Sequence, residues 1–378
     1  MSSTSTKTPH GLPPFEALPL REGDPYLSAW GLYGADDQLG ALHRLSDEHV
    51  AHSAKTEILS GVRIGLDAPL NLQTPSGKAF FGREIFHQEV VLKGPRVVND
   101  DVWVFNSQVS TQWDGLRHFA YQKEGLFYNG TTARDIHGSS LGEGPVTCRT
   151  STRDPGTEVL GIQEMAKRGI IGRAVLLDYH SWRLAQPAPR EYDPFASASI
   201  SLEELLAVAK AQGTEIRFGD ILFTRTETLR ERETASSQFQ SSFPQPKNEN
   251  ETDEKSYKGY KAVLNTKTDQ EVSTLKDVMP PHFGGVEQSE ELVKWIWEHF
   301  SAVAGDQPSF ECWPSANPKL LLHEVLLAGW GMPIGELFDL ESLAEHCRKV
   351  GRWSFFLSSE VCHVTGGVAS PPNAVAIF

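Results

Sequence analysis

The stretch that decides our interpretation of this chain is Phe105-Asn106-Ser107-Gln108-Val109-Ser110-Thr111-Gln112-Trp113-Asp114-Gly115-Leu116-Arg117-His118-Phe119. In an extended strand, successive side chains point to opposite faces. If the segment is extended as far as Gly115, one face carries Gln108, Ser110, Gln112 and Asp114, and the other carries Val109, Thr111 and Trp113. The polar row ends in a carboxylate, and His118 follows four residues later. Such a convergence is what a metal or acid–base site requires.

The same alternation has an ordinary structural explanation. Any half-exposed antiparallel strand alternates polar and apolar residues, and a histidine after a turn is commonly a surface residue. Spacing alone therefore leaves both interpretations open.

A family resemblance favours the functional interpretation. The row resembles the signature H-x-G-T-H-x-D-x-P-x-H of the cyclase family, metal-dependent hydrolases that include bacterial kynurenine formamidase and isatin hydrolase. Thr111, Asp114 and His118 match it. Gln108 and Gln112 stand where the family has its first two histidines, while Ser110 and Leu116 replace the glycine and the proline. The stretch is more similar still to a glutamine-containing fungal and bacterial branch that resembles trans-dienelactone hydrolase.

The second half of the chain extends the resemblance, which covers roughly residues 22–378. His323 and Glu336 look like the family's histidine on a helix and the glutamate after a short turn that complete its metal site. Considered without the resemblance, His323 on a helix would share an apolar face with Leu320, Leu326 and Leu327. A core histidine with both nitrogens satisfied is therefore the alternative for this residue.

The resemblance implies one divalent ion, Zn²⁺ or Mn²⁺, held by Asp114, His323 and Glu336, with Gln112 and Gln108 as further donors. A single ion is expected because glutamines in place of two histidines leave only amide oxygens, which are weaker neutral donors. His118 would act as general base towards a water activated by the metal.

Three residues are assigned to substrate binding: Trp30, Trp113 and His363. Trp30 lies in a segment, Trp30-Gly31 to Gly40, that resembles the family's W-G-x-x-D-x-x-G opening, and a buried tryptophan in a glycine-rich turn explains it equally well. His363 follows Val361-Cys362, where the family commonly has P-L-N.

The function expected from these residues is hydrolysis of a small cyclic ester or amide. The same groups can deprotonate carbon next to a carbonyl, so a cyclase, dehydratase or isomerase of a biosynthetic pathway is the first alternative. A non-catalytic binding protein on the same fold is the second, because both histidines of the signature are replaced by glutamine.

Composition limits the partners. The 378 residues include 49 acidic and 35 basic side chains, a formal charge of -14, which argues against nucleic acid or an anionic membrane surface. The four cysteines form no C-x-x-C pair, and no glycine-rich phosphate fingerprint occurs. The polar N-terminus and the lack of an apolar run of about 18 residues predict a cytoplasmic protein.

The pattern of elements predicts an α/β fold. Residues 1–20, rich in proline, are expected to form an extended arm, and residues 21–378 a single domain. Strands are predicted at 88–92 and 101–105, leading into the polar row, and at 172–178 and 218–225. A capping box at Ser201 and Glu204 predicts a helix to about residue 211. Polar residues at about 230–275 predict a flexible insertion.

The resemblance implies a swivelling β/β/α fold with a mixed sheet. It also implies a homodimer or higher homo-oligomer that acts on a small molecule.

Overall fold

Short apolar runs bounded by glycine form the centre of a nine-stranded sheet. The computed structural model describes residues 10–138, 158–226 and 281–378. The strands in these residues are β1 (Arg63–Gly65), β2 (His87–Lys93), β3 (Val98–Val104), β4 (Gln112–Asp114), β5 (Ile170–Asp178), β6 (Ser199–Ile200), β7 (Asp220–Arg225), β8 (Gly285–Val286), β9 (Phe300–Gly305), β10 (Ile334–Glu336), β11 (Ser354–Val361), β12 (Ala369–Ser370) and β13 (Pro372–Ile377). The α-helices are α1 (Asp47–Glu57), α2 (Ala133–His137), α3 (Gln163–Ala166), α4 (Tyr179–Leu184), α5 (Leu202–Gln212), α6 (Glu290–His299) and α7 (Glu341–Val350).

The large sheet is mixed, as predicted. Its strand order is β1-β13-β11-β5-β7-β9-β10-β4-β12. The four strands β5, β7, β9 and β10 run parallel, and the strands on either side of this group are antiparallel to their neighbours. The mixed α/β class expected from the sequence is confirmed.

Two hydrophobic cores lie on opposite faces of this sheet. In β5, Val175 and Leu177 belong to one core, while Ala174 and Leu176 belong to the other. Alternate residues of a strand point to opposite faces, so helices must cover both. The first core includes apolar residues of α5 and α6, and the second includes residues of α3 and α7.

Helix α5 begins where the capping box predicts. The Ser201 side chain accepts from the backbone N–H of Glu204, and the Glu204 carboxylate accepts from the backbone N–H of Ser201. The two groups satisfy donors that the first turn of a helix leaves unpaired.

The N-terminal segment differs from its prediction. Leu12, Phe15 and Leu18 are buried in the first core, and the Trp297 indole donates to the Pro13 carbonyl at 3.1 Å. Residues 10–18 are therefore packed rather than an extended arm, because apolar side chains between the prolines find a surface to bury against. Residues 1–9 and the predicted insertion at 230–275 lie outside the described residues.

The strands at β2 and β3 are present, but they do not lead into the large sheet. They pair with each other in a separate two-stranded sheet, from His87 opposite Val104 to Lys93 opposite Val98. The candidate site is built on β4 and β10 instead. Among the described helices, none has both the length and the apolar character needed to cross a membrane.

Candidate metal centre

Strands β4 and β10 place three polar side chains on one face of the sheet. They pair antiparallel, with Gln112 opposite Glu336 and Asp114 opposite Ile334. Residues directly opposite each other share a face, and so do residues two apart in one strand. Gln112, Asp114 and Glu336 therefore converge, and all three are buried. The Gln112 amide donates to Glu336 Oε2 at 2.7 Å.

The chain before β4 turns rather than running extended. Asn106 Oδ1 accepts from the backbone N–H of Gln108 at 2.9 Å, and the Ser110 hydroxyl donates to the Pro69 carbonyl at 2.9 Å. Asparagine side chains favour such turns by bonding the backbone two residues on. The turn still brings Gln108 into the site, where its Nε2 donates to Asp114 Oδ1 at 2.7 Å.

His118 reaches the same site by a tight turn after β4. Its backbone N–H donates to the Gly115 carbonyl at 2.9 Å. Glycine is required at 115 because an added Cβ would lie 2.7 Å from the Val368 carbonyl oxygen. His118 Nε2 lies 3.8 Å from Asp114 Oδ2, and the His118 side chain is 21% exposed, whereas that of Asp114 is fully buried. The imidazole thus sits between the buried carboxylate and solvent.

His323 enters from the opposite side, just before a π-helix, Glu324–Gly329. His323 is itself helical, as predicted, but the turns after it are π-helical and Leu320 lies before the helix, so the predicted α-helical spacing does not hold. π-helical turns are rare and frequently occur at functional sites. His323 is buried as predicted, with Nδ1 2.7 Å from Glu311 Oε1 and Nε2 3.3 Å from Glu336 Oε1.

Glu311 is the functional candidate that sequence reasoning missed. It is completely buried, and its carboxylate also accepts from the backbone N–H groups of Leu322 and His323, both at 2.9 Å, and from the Gln288 amide at 2.9 Å. Histidines that bind metals usually donate their second N–H to such a carboxylate, which fixes the ring and the tautomer. In this arrangement Nε2 is the nitrogen of His323 that faces Glu336 and the site.

The electrostatics of the site favour a cation. Burial raises the pKa of Asp114, and the charge of Glu336 raises it further, although His118 opposes the shift. Burial lowers the pKa of His118. Burial also lowers the pKa of His323, but hydrogen bonds to Glu311 and Glu336 outweigh it and raise that pKa to about 10. A proton on His323 thus compensates two carboxylates, and a metal ion binding at Nε2 would have to displace it.

The residues present fit a divalent ion. Ligand atoms of Asp114, His118 and His323 all lie within 4.8 Å of one another. Two buried oxygens beside them, Asp114 Oδ2 and Gln112 Oε1, have no hydrogen-bond partner. Buried polar atoms are ordinarily paired, and carboxylate oxygens, amide oxygens and imidazole nitrogens are ligands that Zn²⁺ and Mn²⁺ both accept.

The grouping differs in part from the expected one. Glu336 is not one of the three clustered residues, but it contacts His323 and accepts from the Gln112 amide. It also accepts from the Phe310 backbone N–H at 3.1 Å. Gln108 turns its amide N–H to Asp114, so it supports a candidate ligand rather than offering its oxygen there.

The structure places the three expected substrate-binding residues in three different surroundings. Trp113 is fully buried on the opposite face of β4, where it packs against Phe223 and Phe338 and donates to Ser359 Oγ at 2.9 Å. Trp30 is buried and donates to the carbonyl of Ala328 in the π-helix at 2.7 Å. His363 is exposed in the loop after β11. The structure does not bring Trp113 into the site, because its strand position points it into the second core.

Replacing Trp113 by alanine should therefore reduce stability rather than substrate affinity. We expect the free energy of unfolding to fall by about 3–5 kcal/mol, the usual cost of removing a buried tryptophan. Urea unfolding of the variant measures it, and KM should stay close to the parent value. An increased KM at unchanged stability would return Trp113 to the substrate site.

Replacing Glu311 by glutamine should weaken metal binding. The change keeps the size but removes the charge that orients His323, and its new N–H groups face donors. We expect the affinity for Zn²⁺ or Mn²⁺ to fall by about 10–100-fold, measured by competition with a chelator. Glu324→Gln is the matched control, since this carboxylate next to His323 accepts from the Gln122 backbone at 2.9 Å and not from the ring. If Glu311→Gln binds the metal as tightly as the parent, the role of Glu311 is only to accept hydrogen bonds from the backbone N–H groups of Leu322 and His323.

Both the sequence and the fold of this chain are similar to those of known proteins. Residues 43–312 match the family model Cyclase, described as "Putative cyclase", and the chain belongs to that family. A crystal structure described as a novel cyclase is 25% identical, with a TM-score of 0.66 over 93% of this chain and 99% of that chain. The chain thus has a cyclase-like α/β fold.

More distant structures are also similar. Isatin hydrolase A from Ralstonia solanacearum is 13% identical, with a TM-score of 0.48 over 83% of this chain and 91% of that chain. Isatin hydrolase A from Labrenzia aggregata, bound to benzyl benzoate, is 12% identical, with a TM-score of 0.49 over 89% of this chain and 98% of that one. No protein with a curated description matches the chain.

Proposed function

We propose that this chain is a metal-dependent hydrolase of a small cyclic ester or amide. The observation that carries the proposal is the convergence of Asp114, His118 and His323 within 4.8 Å, beside two buried oxygens without partners, in a member of the cyclase family. Within that family, Gln108 and Gln112 at the two histidine positions favour a glutamine-containing branch similar to trans-dienelactone hydrolase.

The proposed ligands are Asp114, His323 and Glu336, whose Oε1 lies 3.3 Å from His323 Nε2, with the unpaired oxygen of Gln112 as a further donor. One Zn²⁺ or Mn²⁺ suits this set, because Gln108 and Gln112 have no imidazole with which to hold a second ion. A bound ion would lower the pKa of a water and polarise the carbonyl of the substrate.

The chain's own residues then have distinct roles. His118 accepts the proton of the attacking water, since burial lowers its pKa and keeps the ring neutral near pH 7. The protonated ring then gives that proton to the leaving oxygen or nitrogen as the ester or amide bond breaks. Gln108 donates to Asp114 Oδ1, and the same Nε2 lies against the ring of His118, 3.3 Å from each ring nitrogen. Glu311 fixes His323.

Metal analysis and isotope labelling test the proposal together. The purified protein should contain about one equivalent of Zn or Mn, as one cluster of this kind predicts. With a lactone or a cyclic amide in ¹⁸O-labelled water, hydrolysis must place label in the product acid. A metal-free protein with full activity would sink the proposal.

One observation supports a second candidate, a metal-dependent cyclase, dehydratase or isomerase. Both signature glutamines donate to carboxylates, Gln108 to Asp114 and Gln112 to Glu336, so neither builds a two-metal hydrolytic centre. His118 would then remove a proton from carbon next to a carbonyl. Turnover without ¹⁸O in the product would favour this reaction over hydrolysis.

A further inference from the structure

Both halves of the candidate metal centre, the turn after β4 and the π-helix, share a small hydrophobic core. The six buried residues of this core are Trp30, Leu116, Tyr121, Tyr128, Leu160 and Ala328. Leu116 comes two residues before His118 in the turn. Ala328 lies in the π-helix that begins directly after His323. Trp30 therefore packs in one core with a neighbour of each histidine of the site.

The N-terminal segment binds the end of the π-helix. We call residues 27–41 the clamp. The last carbonyl groups of a helix have no partner within it and need donors from elsewhere. The indole N–H of Trp30 donates to the Ala328 carbonyl at 2.7 Å, and the backbone N–H of Ala29 donates to the Gly329 carbonyl at 3.0 Å. The clamp thus satisfies two carbonyl groups of the π-helix.

The clamp also contacts the chain just past the π-helix. Gly40 and Gly331 lie backbone to backbone, because a Cβ added at Gly40 would lie 2.2 Å from the Gly331 carbonyl oxygen. The Ala41 backbone N–H donates to this carbonyl at 3.1 Å. In the opposite direction, the Trp330 indole donates to the Leu27 carbonyl at 2.8 Å. Hydrogen bonds in both directions fix the end of the π-helix to the clamp.

We infer that Trp30 is a positioning residue, which holds the π-helix, and with it His323, at a fixed distance from the turn that carries His118. The two imidazole rings have centroids 6.1 Å apart. Trp30 acts on this distance through its neighbours, Leu116 on one side and Ala328 on the other. The inference rests on the proposed function, since these are the residues proposed to hold the metal and to move the proton.

The geometry of the π-helix gives the physical reason. π-helical turns are rare, and here one follows directly after a proposed ligand. A metal ion tolerates only small changes in the distances to its ligands. If the π-helix relaxed, His323 would move relative to the donors on β4, and the ion would lose part of its binding free energy.

Trp297 provides a comparison for a purely structural tryptophan. Like Trp30 it is buried, and its indole N–H donates to a backbone carbonyl, that of Pro13, at 3.1 Å. The hydrogen bond of Trp30 ends on the π-helix, whereas that of Trp297 ends in the N-terminal segment before the clamp. Loss of either bond should lower stability, but only loss of the first should change the metal site.

Trp30→Phe tests the inference, because it keeps an aromatic ring and removes the donor to the Ala328 carbonyl. The affinity for Zn²⁺, measured by competition with a chelator, should fall by about 10-fold, the low end of the range for residues that orient a metal ligand. The absorption spectrum of bound Co²⁺ should also shift, since it depends on the geometry of the ligands. Trp297→Phe is the matched control. It should lose a similar amount of stability in urea and keep the parent affinity and spectrum.

Amide hydrogen exchange of the parent protein gives a second readout that needs no variant. Coupling between two sites is reciprocal, so a clamp that strengthens metal binding must itself be stabilised by the metal. Zn²⁺ should therefore slow exchange at the amides of Ala29 and Ala41 by about 10-fold, the same factor as the affinity change. Exchange in the mostly exposed helix α1 should stay as before.

Each outcome has a definite meaning. Equal affinities in Trp30→Phe and the parent, or equal losses in Trp30→Phe and Trp297→Phe, would overturn the inference and leave the proposed function intact. Clamp amides whose exchange is unchanged by Zn²⁺ would overturn it as well, and this experiment decides alone if Trp30→Phe fails to fold. A parent protein that binds neither Zn²⁺ nor Mn²⁺ would overturn the proposed function, and the inference with it.

Discussion

Asp114→Asn is expected to abolish metal binding and turnover while making the metal-free protein more stable. Asp114 is completely buried, and one of its oxygens has no hydrogen-bond partner. Burial raises the pKa of this carboxyl group, so its charge costs free energy in the folded state. Asparagine keeps the shape and can still accept from Gln108, but it carries no charge.

The sign of the pH dependence follows from that raised pKa. A carboxyl group whose folded pKa is raised binds its proton more tightly in the folded state, so the metal-free parent loses stability as pH rises. The loss begins near the ordinary carboxyl pKa and is complete above the raised one. The stability advantage of metal-free Asp114→Asn should therefore be absent in acid, grow as pH rises above the ordinary carboxyl pKa and be complete above the raised pKa, as measured by chemical unfolding in the presence of a chelator.

Added metal should reverse the order of stability. An ion at about 100 times its dissociation constant stabilises the parent by about 2.7 kcal/mol, and the variant should gain nothing. Asp67→Asn is the matched control: burial raises the pKa of Asp67 to about 7, but this residue accepts from the Ala374 backbone outside the site. Equal stabilisation of Asp114→Asn and the parent by metal would remove Asp114 from the ligands.

The parts of the site that the sequence predicts are those set by local spacing. Residues two apart in a strand must share a face, so Gln112 and Asp114 converge wherever β4 lies. The same alternation points Trp113 away from them, which argues against its assignment to substrate binding. The turn at 106–110 could also be predicted from the sequence, because Asn106 and Ser107 are turn residues. The regular polar spacing favoured an extended strand instead.

Glu311 was not predictable in this way. It lies outside the described strands and helices and reaches His323 from 12 residues earlier in the chain, through a fold that no periodic pattern encodes. A single buried glutamate can be recognised from sequence only by its burial, and burial depends on the tertiary structure. The apolar runs of β2 and β3 gave a correct strand prediction, but no local pattern shows that these two strands lie outside the large sheet.

His118→Ala decides between the two roles that the geometry allows this residue. Its ring lies close enough to Asp114 and His323 to share an ion, but it is the most exposed member of the cluster. If it is the general base, metal content and thermal stability should stay near the parent values while turnover falls by about 10²–10⁴-fold. His52→Ala, which removes an exposed imidazole from α1, is the control for both measurements.

Two other results would assign His118 a different role. A loss of metal from His118→Ala comparable with that from Asp114→Asn would make His118 a ligand, and the proton would then have to pass to another group. If the parent turns over no lactone, aryl formamide or enol lactone, and His118→Ala binds the same compounds equally well, proton transfer at His118 has no role. The chain would then be a binding protein on an enzyme fold, because binding a ligand to a metal needs no base beside it, whereas hydrolysing an ester or amide bond does.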